Sequence, residues 1–276
     1  MRRLTPGRRE SLSCYAMTAT TQISSPCVIR PYSRIAAIYD AAAGIRDFIR
    51  ARNAFEALVR SYGITFDTAL DVGCGTGLFA CYLGRCWGVP VFGVDSSPEM
   101  LRVAACNCRS PNVRFLLEDI RCLRLPCQVD LATANTFTLN HFLGVRELAL
   151  VLRRINENLR PGGHLIFDML THRQPRPYPP ALIRRVLRSG QELLQQIRWD
   201  PLRRLLSILI VHRSENGLPP ALEVHVGRGY SPLQVSRCLR DAGFLIRGIH
   251  DADTLRMAAG CPARVILVAR KQRPRE

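Results

Sequence analysis

An α/β fold is what this sequence predicts: a mostly parallel seven-stranded sheet with helices on both faces, and a small antiparallel insertion after the fifth strand. Three observations predict it. Short apolar runs alternate with helical stretches through residues 66–170, a glycine-rich bend joins the first strand of that alternation to its first helix, and after Met169 longer extended segments take over.

Each element follows in order. Ser33 to Arg60 carries Ile35, Ile38, Phe48 and Leu58 among alanines and arginines and reads as one or two helices. Thr68–Val72, Val89–Val94, Val113–Leu117, Val129–Ala134 and His164–Met169 are short apolar runs of the kind buried on both faces of a parallel sheet. Leu78–Trp87, Pro98–Cys108 and Val145–Asn158 read as the helices between them. Ser97-Pro98 supplies a cap and a first-turn proline, and Arg160-Pro161-Gly162-Gly163 ends a helix and turns into the fifth strand. Four prolines exclude regular structure from 171–180. Gln191–Arg198 and Leu202–His212 read as extended segments joined at Trp199-Asp200-Pro201, and Ala221–Gly227 follows a turn around Glu215-Asn216-Gly217. Residues 171–229 are therefore expected to be an antiparallel insertion that covers the substrate. Ser231-Pro232-Leu233-Gln234 is a capping box opening a helix that ends at Ala242-Gly243. Phe244–His250 and Ala263–Arg270 supply the last two strands.

With 276 residues and 47% apolar content, the chain can bury one substantial core. No run approaches the roughly 18 uninterrupted apolar residues of a membrane helix, so no membrane partner is expected and the setting expected is the cytoplasm. The eleven cysteines include no C-x-x-C pair, so no metal is expected, and their odd, scattered count fits a reducing compartment. The net charge is +17, and all but one of the 39 basic residues are arginine. GC-rich coding would produce the same bias. A basic surface raises association with nucleic acid, acidic lipids or anionic metabolites, but arginines spread over many helices point to nucleic acid less than a compact patch does. Nine arginines against two acids fall between Arg173 and Arg213. Residues 1–31, rich in Arg, Ser and Thr and without an apolar segment, are expected to be a disordered basic extension, or residues 1–16 to lie upstream of an internal start at Met17, rather than to form a secretory signal or transit peptide.

The sharpest signal is Leu70-Asp71-Val72-Gly73-Cys74-Gly75-Thr76-Gly77, directly after a strand and directly before a helix. Glycines there let the backbone turn tightly and approach a ligand, and a helix N-terminus offers free N–H groups. The dinucleotide pattern G-x-G-x-x-G would need a glycine where Leu78 stands. The pattern present, with an acid two residues before the first glycine, suits a ligand with an amino-acid tail and no pyrophosphate. Asp95, at the end of the second strand, can accept both hydrogens of a ribose diol. Asp119, at the end of the third, can accept from an adenine amino group while Ile120 covers the ring.

Residues 66–170 resemble the class I, Rossmann-like S-adenosylmethionine-dependent methyltransferases, in the glycine bend, in Gly93-Val94-Asp95-Ser96-Ser97 and in Glu118-Asp119-Ile120. Tyr32-x-x-Ile35-Ala36-x-x-Tyr39-Asp40 resembles the N-terminal lid helix of the bacterial small-molecule members. Thr138-Leu139-Asn140-His141-Phe142, Arg160 to Asp168, Glu223-x-His225…Tyr230-Ser231 and Arg264 to Arg270 are similar to further signatures of that group, which includes amino-sugar N-methyltransferases. The resemblance covers residues 32–272. It implies S-adenosylmethionine as cofactor, with Tyr32, Asp71, Gly73, Cys74, Gly75, Gly77, Asp95, Ser96, Met100, Asp119, Ile120 and Asn135 around it. An acid often precedes the S-L-N turn in the group, where Phe137 stands here.

Methyl transfer from a sulfonium requires the acceptor atom to be held in line and water excluded, and a base helps when the acceptor is a hydroxyl. His141 and Asn140 are the expected catalytic contacts, Tyr32 and Tyr39 the expected lid, and His225 a further residue facing the site. Asp168 is expected only to cap. Asn135-Thr136-Phe137-Thr138 lacks the Pro-Pro-aromatic turn of base-amine nucleic-acid methyltransferases, and Pro126-Cys127 precedes the fourth strand, which excludes a cytosine C5 nucleophile. The expected activity is methyl transfer to N or O of a small molecule. The alternatives are an RNA methyltransferase gripping phosphates with the arginine-rich insertion and a non-catalytic cofactor-binding scaffold, and an oligomer is left open.

Overall fold

The computed structural model describes residues 27–173, 181–187, 192–213 and 219–273. The expected extension up to residue 26, the proline-rich stretch 174–180 and the turn at Glu215-Asn216-Gly217 lie outside the described residues. The elements in chain order are β1 (Cys27–Ile29), α1 (Ile45–Tyr62), β2 (Ala69–Val72), α2 (Leu78–Tyr82), β3 (Val91–Asp95), α3 (Pro98–Asn107), β4 (Val113–Leu117), β5 (Val129–Ala134), α4 (Val145–Asn158), β6 (Leu159–Leu170), β7 (Ala181–Val186), β8 (Glu192–Asp200), β9 (Leu205–His212), β10 (Ala221–Arg228), α5 (Pro232–Asp241), β11 (Phe244–Asp251) and β12 (Arg264–Lys271).

Seven strands form the central sheet in the order β11-β12-β6-β5-β2-β3-β4. The five from β4 to β6 are parallel, and β12 runs antiparallel to both β6 and β11. Because successive residues of a strand point to opposite faces, one strand feeds two cores. Leu70 and Val72 pack with Leu148, Val151, Leu152 and Ile155 of α4 and Val235 and Leu239 of α5. Ala69 packs with Phe55, Leu58 and Val59 of α1 and with Phe79 of α2. The caps read from sequence are in place: Ser97 accepts from Met100 N–H at the start of α3, and Ser231 and Gln234 bond reciprocally at α5.

Two expectations about local structure are corrected. Arg160-Pro161-Gly162-Gly163 follows the end of α4 at Asn158 and leads into the expected strand, but it is not a free turn between them. It is a bulge within β6, where two steps of β5 (Val129 to Leu131) oppose five of β6 (Leu159 to His164) and Gly162 takes φ +85°. Of the expected extension, the end that is described is built into the fold, since Cys27–Ile29 pairs parallel with β10.

That pairing completes a second sheet, β1-β10-β9-β8-β7, antiparallel from β10 onward. Residues 201–204 form the turn between β8 and β9, which starts β9 at Leu205 rather than Leu202. The inner face of this sheet packs in two places. Leu193 and Ile210 meet Ile35, Tyr32 and Tyr39, and Ile197 and Leu206 meet Leu170 and Phe137. No helix among the described residues is long and apolar enough to cross a membrane.

Candidate active site

The strand order reverses at β2, whose neighbours β3 and β5 lead away on opposite sides, and such a switch leaves a crevice beyond the strands' carboxyl ends. The crevice encloses ≈480 Å³, within the size range of small-molecule sites.

One wall is the glycine bend. Gly73 and Gly75 have φ +63° and +54°, left-handed values that favour glycine. A Cβ on Gly73 would strike the Thr138 side chain, whereas one on Gly75 would meet nothing within 4 Å. The bend is therefore packed behind and bare toward the crevice. Asp95 holds it: Oδ2 accepts the Gly75 N–H and Oδ1 the Ser97 N–H, each at 2.8 Å. Burial pushes the Asp95 pKa up, against the bonds from Ser97 and Gly75. Each carboxylate oxygen keeps a second lone pair for a diol.

Asp71 lies beneath the bend, 2% exposed, accepting from the Thr133 hydroxyl at 2.8 Å. Burial pushes its pKa up to about 7, the Thr133 bond offsetting only part. Asn135 Nδ2 is buried without a hydrogen-bond partner, close enough to Asp71 to bias its charge. Cys74, Ser96, Met100 and Ile120 complete this wall. Asp119 is bound by Arg121, through Nη2 at 2.6 Å and Nε at 3.0 Å, and those hydrogen bonds hold its carboxyl below the usual range.

A lid forms the opposite wall. Tyr32 takes φ +64°, and its N–H donates to Glu223 Oε2 at 2.8 Å, while the Arg34 and Ile35 N–H groups donate to Oε1 at 2.6 and 2.9 Å. Glu223, on β10, is 0% exposed. His225 Nε2 lies 3.1 Å from Oε2 and His212 Nε2 3.2 Å from Oε1. Burial alone would raise the Glu223 pKa, but the bonds from His212, His225, Ile35 and Arg34 outweigh it and hold the carboxyl well below the usual range. Asp40 pins the lid to the bend, accepting from Thr76 Oγ1 at 2.6 Å and Asn107 Nδ2 at 2.9 Å.

His141 stands where lid and insertion meet. Nδ1 is 3.2 Å from the Val226 carbonyl and Nε2 is 3.0 Å from the Tyr32 hydroxyl. A carbonyl can only accept, so Nδ1 carries the hydrogen and the Nε2 lone pair accepts from Tyr32. The surrounding walls push the His141 pKa down, favouring the neutral ring.

Tyr32, Tyr39, Asp71, Gly73, Cys74, Gly75, Asp95, Ser96, Met100, Asp119, Ile120, Asn135 and His141 all line this one crevice. Three expected site residues do not. Asn140 is 1% exposed and its side chain is fully engaged, Nδ2 donating to the Leu170 and Arg228 carbonyls and Oδ1 accepting from Leu170 N–H; it joins β6 to β10 and is not a catalytic contact. Gly77 faces away from the crevice, where a Cβ would strike Ala104 and Phe115, so it serves packing. His225 reaches the site only through Tyr32, its ring edge-on at 4.5 Å. Sequence reasoning missed Glu223 and Asp40 as tethers. Glu223 did leave a signal, for it occupies an inward position of β10 beside Ala221 and His225, and a buried acid requires partners.

The donors fit S-adenosylmethionine. A buried carboxylate short of counter-charge and an unpaired amide could take the amino-acid tail, Asp95 the ribose, and Met100 and Ile120 the adenine faces. Residues 69–163 match a family described as a methyltransferase domain. The matched segment holds the glycine bend, Asp95 and Asp119, so the cofactor wall of the crevice is built by a methyltransferase domain. Among its relatives, a demethylmenaquinone methyltransferase of Tropheryma whipplei (strain Twist) is 29% identical over 173 residues, 62% of this chain and 70% of the relative. A dTDP-3-amino-3,6-dideoxy-alpha-D-glucopyranose N,N-dimethyltransferase of Streptomyces fradiae is 29% identical over 123 residues, 45% of this chain and 47% of the relative. The structure of the CcbJ methyltransferase from Streptomyces caelestis superposes with a TM-score of 0.70 at 25% identity, covering 86% of this chain and 96% of that one.

Proposed function

We propose that the chain transfers a methyl group to a nitrogen or oxygen of a small-molecule acceptor, in the cytoplasm, beneath a cover formed by residues 171–229. The observation that carries this reading is the His141 Nε2 lone pair, held by Val226 and Tyr32 in the same crevice as the glycine bend. When bound, S-adenosylmethionine supplies a methyl carbon activated by positive sulfur. Asp71 and Asn135 hold the tail end, Asp95 the diol, and Asp119 with Ile120 the base. Lid and insertion keep water from the acceptor. Once the acceptor displaces the Tyr32 hydroxyl from Nε2, His141 takes the proton of an acceptor hydroxyl or ammonium there, and its Nδ1–H bond to Val226 fixes the ring while it does so. The relatives' names support a small acceptor, one being an amino-sugar nucleotide and the other demethylmenaquinone. The free cysteines among the described residues suit a reducing compartment.

The test is incubation with methyl-labelled cofactor and cell extract separated into small-molecule and RNA fractions. Label is expected in the small-molecule fraction. Label in RNA alone, with binding that falls steeply with salt, would replace this reading by an RNA methyltransferase. Tight cofactor binding without transfer to any fraction would leave a scaffold.

A further inference from the structure

Between β5 and His141 the chain takes two consecutive left-handed residues, Thr136 at φ +55° and Phe137 at φ +61°. Neither is glycine, and a β-branched threonine is an outlier in this region. Such a conformation persists only where its surroundings hold it. Asp168, buried near the end of β6, accepts the Phe137 N–H through Oδ1 at 3.0 Å. Its Oδ2 accepts from Arg264 Nη2 at 2.7 Å and Nε at 3.2 Å. The same guanidinium lies 4.8 Å from the centre of the Phe137 ring, and that ring packs against Leu170, Ile197 and Leu206. The other side of the turn meets the crevice: Thr136 lines it, and Thr138 abuts Gly73.

We infer that Asp168, backed by Arg264, is a positioning residue that clamps this strained turn, setting Thr138 against the glycine bend and His141 toward the acceptor. The inference rests on the reading of His141 given above. An ion pair that served only to join β6 to β12 would be indifferent to the backbone of Thr136. A clamp would not be, because glycine at 136 adopts the left-handed shape without steric cost and needs less holding.

The test is a double-substitution cycle in the full chain. Asp168→Ala is expected to lower kcat for the acceptor found by labelling about tenfold or more, with KM changed less than about threefold, since small displacements of reacting groups are that costly. In a Thr136→Gly background the same substitution is expected to cost markedly less. Equal losses in both backgrounds would overturn the clamp. If Asp168→Ala does not fold, Arg264→Gln with and without Thr136→Gly is judged by the same criterion. Affinity for S-adenosylhomocysteine, measured calorimetrically in the same four proteins, needs no acceptor. It is expected to fall with the clamp and recover with the glycine. Non-additive binding in a chain that transfers no methyl group would sink the functional reading while sparing the clamp, and additive binding would sink the clamp alone.

Discussion

On the cofactor wall of the crevice, Gly75 meets Asp95 across 20 positions of sequence. On the acceptor wall, Tyr32 meets Glu223 across 191 and His141 across 109. The first wall is a property of consecutive strand–turn–helix units and forms wherever they fold side by side. The second exists only once the N-terminal segment, the turn after β5 and the insertion sheet have come together. Cofactor binding should therefore tolerate damage to the lid, to the insertion sheet and to His141, and turnover should not; the turn after β5 touches both walls, because Thr138 abuts Gly73.

The largest way to break this division is Glu223→Ala. It leaves three lid N–H groups and two histidines without their shared buried acceptor, a loss of about 3–5 kcal/mol for one side of a buried charged pair. A fall in melting temperature is expected, with turnover lost and with proteolysis near Arg30 and Arg34; an unchanged melting temperature and intact turnover would refute the tether. The pH dependence has a definite sign. The carboxyl is held below its usual range in the folded chain, so the stability it contributes is present above the unfolded pKa and declines as pH falls toward the folded value. Glu223→Gln should flatten that acid limb.

A smaller effect sharpens the comparison from the acceptor side. His141→Ala is expected to lower kcat about a hundredfold, the lower end for loss of a general base, with cofactor affinity essentially retained. Loss of cofactor affinity in parallel, seen by calorimetry, would place His141 on the wrong wall.

The smallest effect tests the cofactor wall. With its pKa up to about 7 in the free chain, Asp71 is largely protonated in weak acid and must ionise to receive an ammonium. Affinity should fall as pH drops below 7, by at most about tenfold per unit, with the proton released on binding read from calorimetry in buffers of different ionisation enthalpy. The same raised pKa makes Asp71 contribute stability below its unfolded value that is lost as pH rises through 7, and Asp71→Asn should remove both dependences.

The same contrast explains what was legible in the sequence. The seven strands of the central sheet and the residues Asp71, Gly73, Gly75 and Asp95 could be read because their signals are local: period, spacing and turn chemistry. β1 could not be read, since three residues reveal nothing until β10 lies beside them. β7 was missed for a related reason, being an edge strand whose Leu182 and Val186 stay exposed and give no inward–outward contrast. Asn140 looked catalytic because a polar residue after a strand at the crevice so often is; its inward orientation is set by Leu170 and Arg228, far away in sequence. The left-handed pair Thr136-Phe137 left no trace, because neither residue favours the shape that Asp168 holds.

The most direct measurement is calorimetric titration of S-adenosylmethionine into the unsubstituted chain and into Asp95→Ala. One molecule should bind the former. The variant should bind about a hundredfold more weakly or worse, since two charge-assisted hydrogen bonds are lost, while keeping its folded circular dichroism. A chain that does not bind the cofactor, or a folded variant that binds it equally well, would contradict the assignment of this crevice.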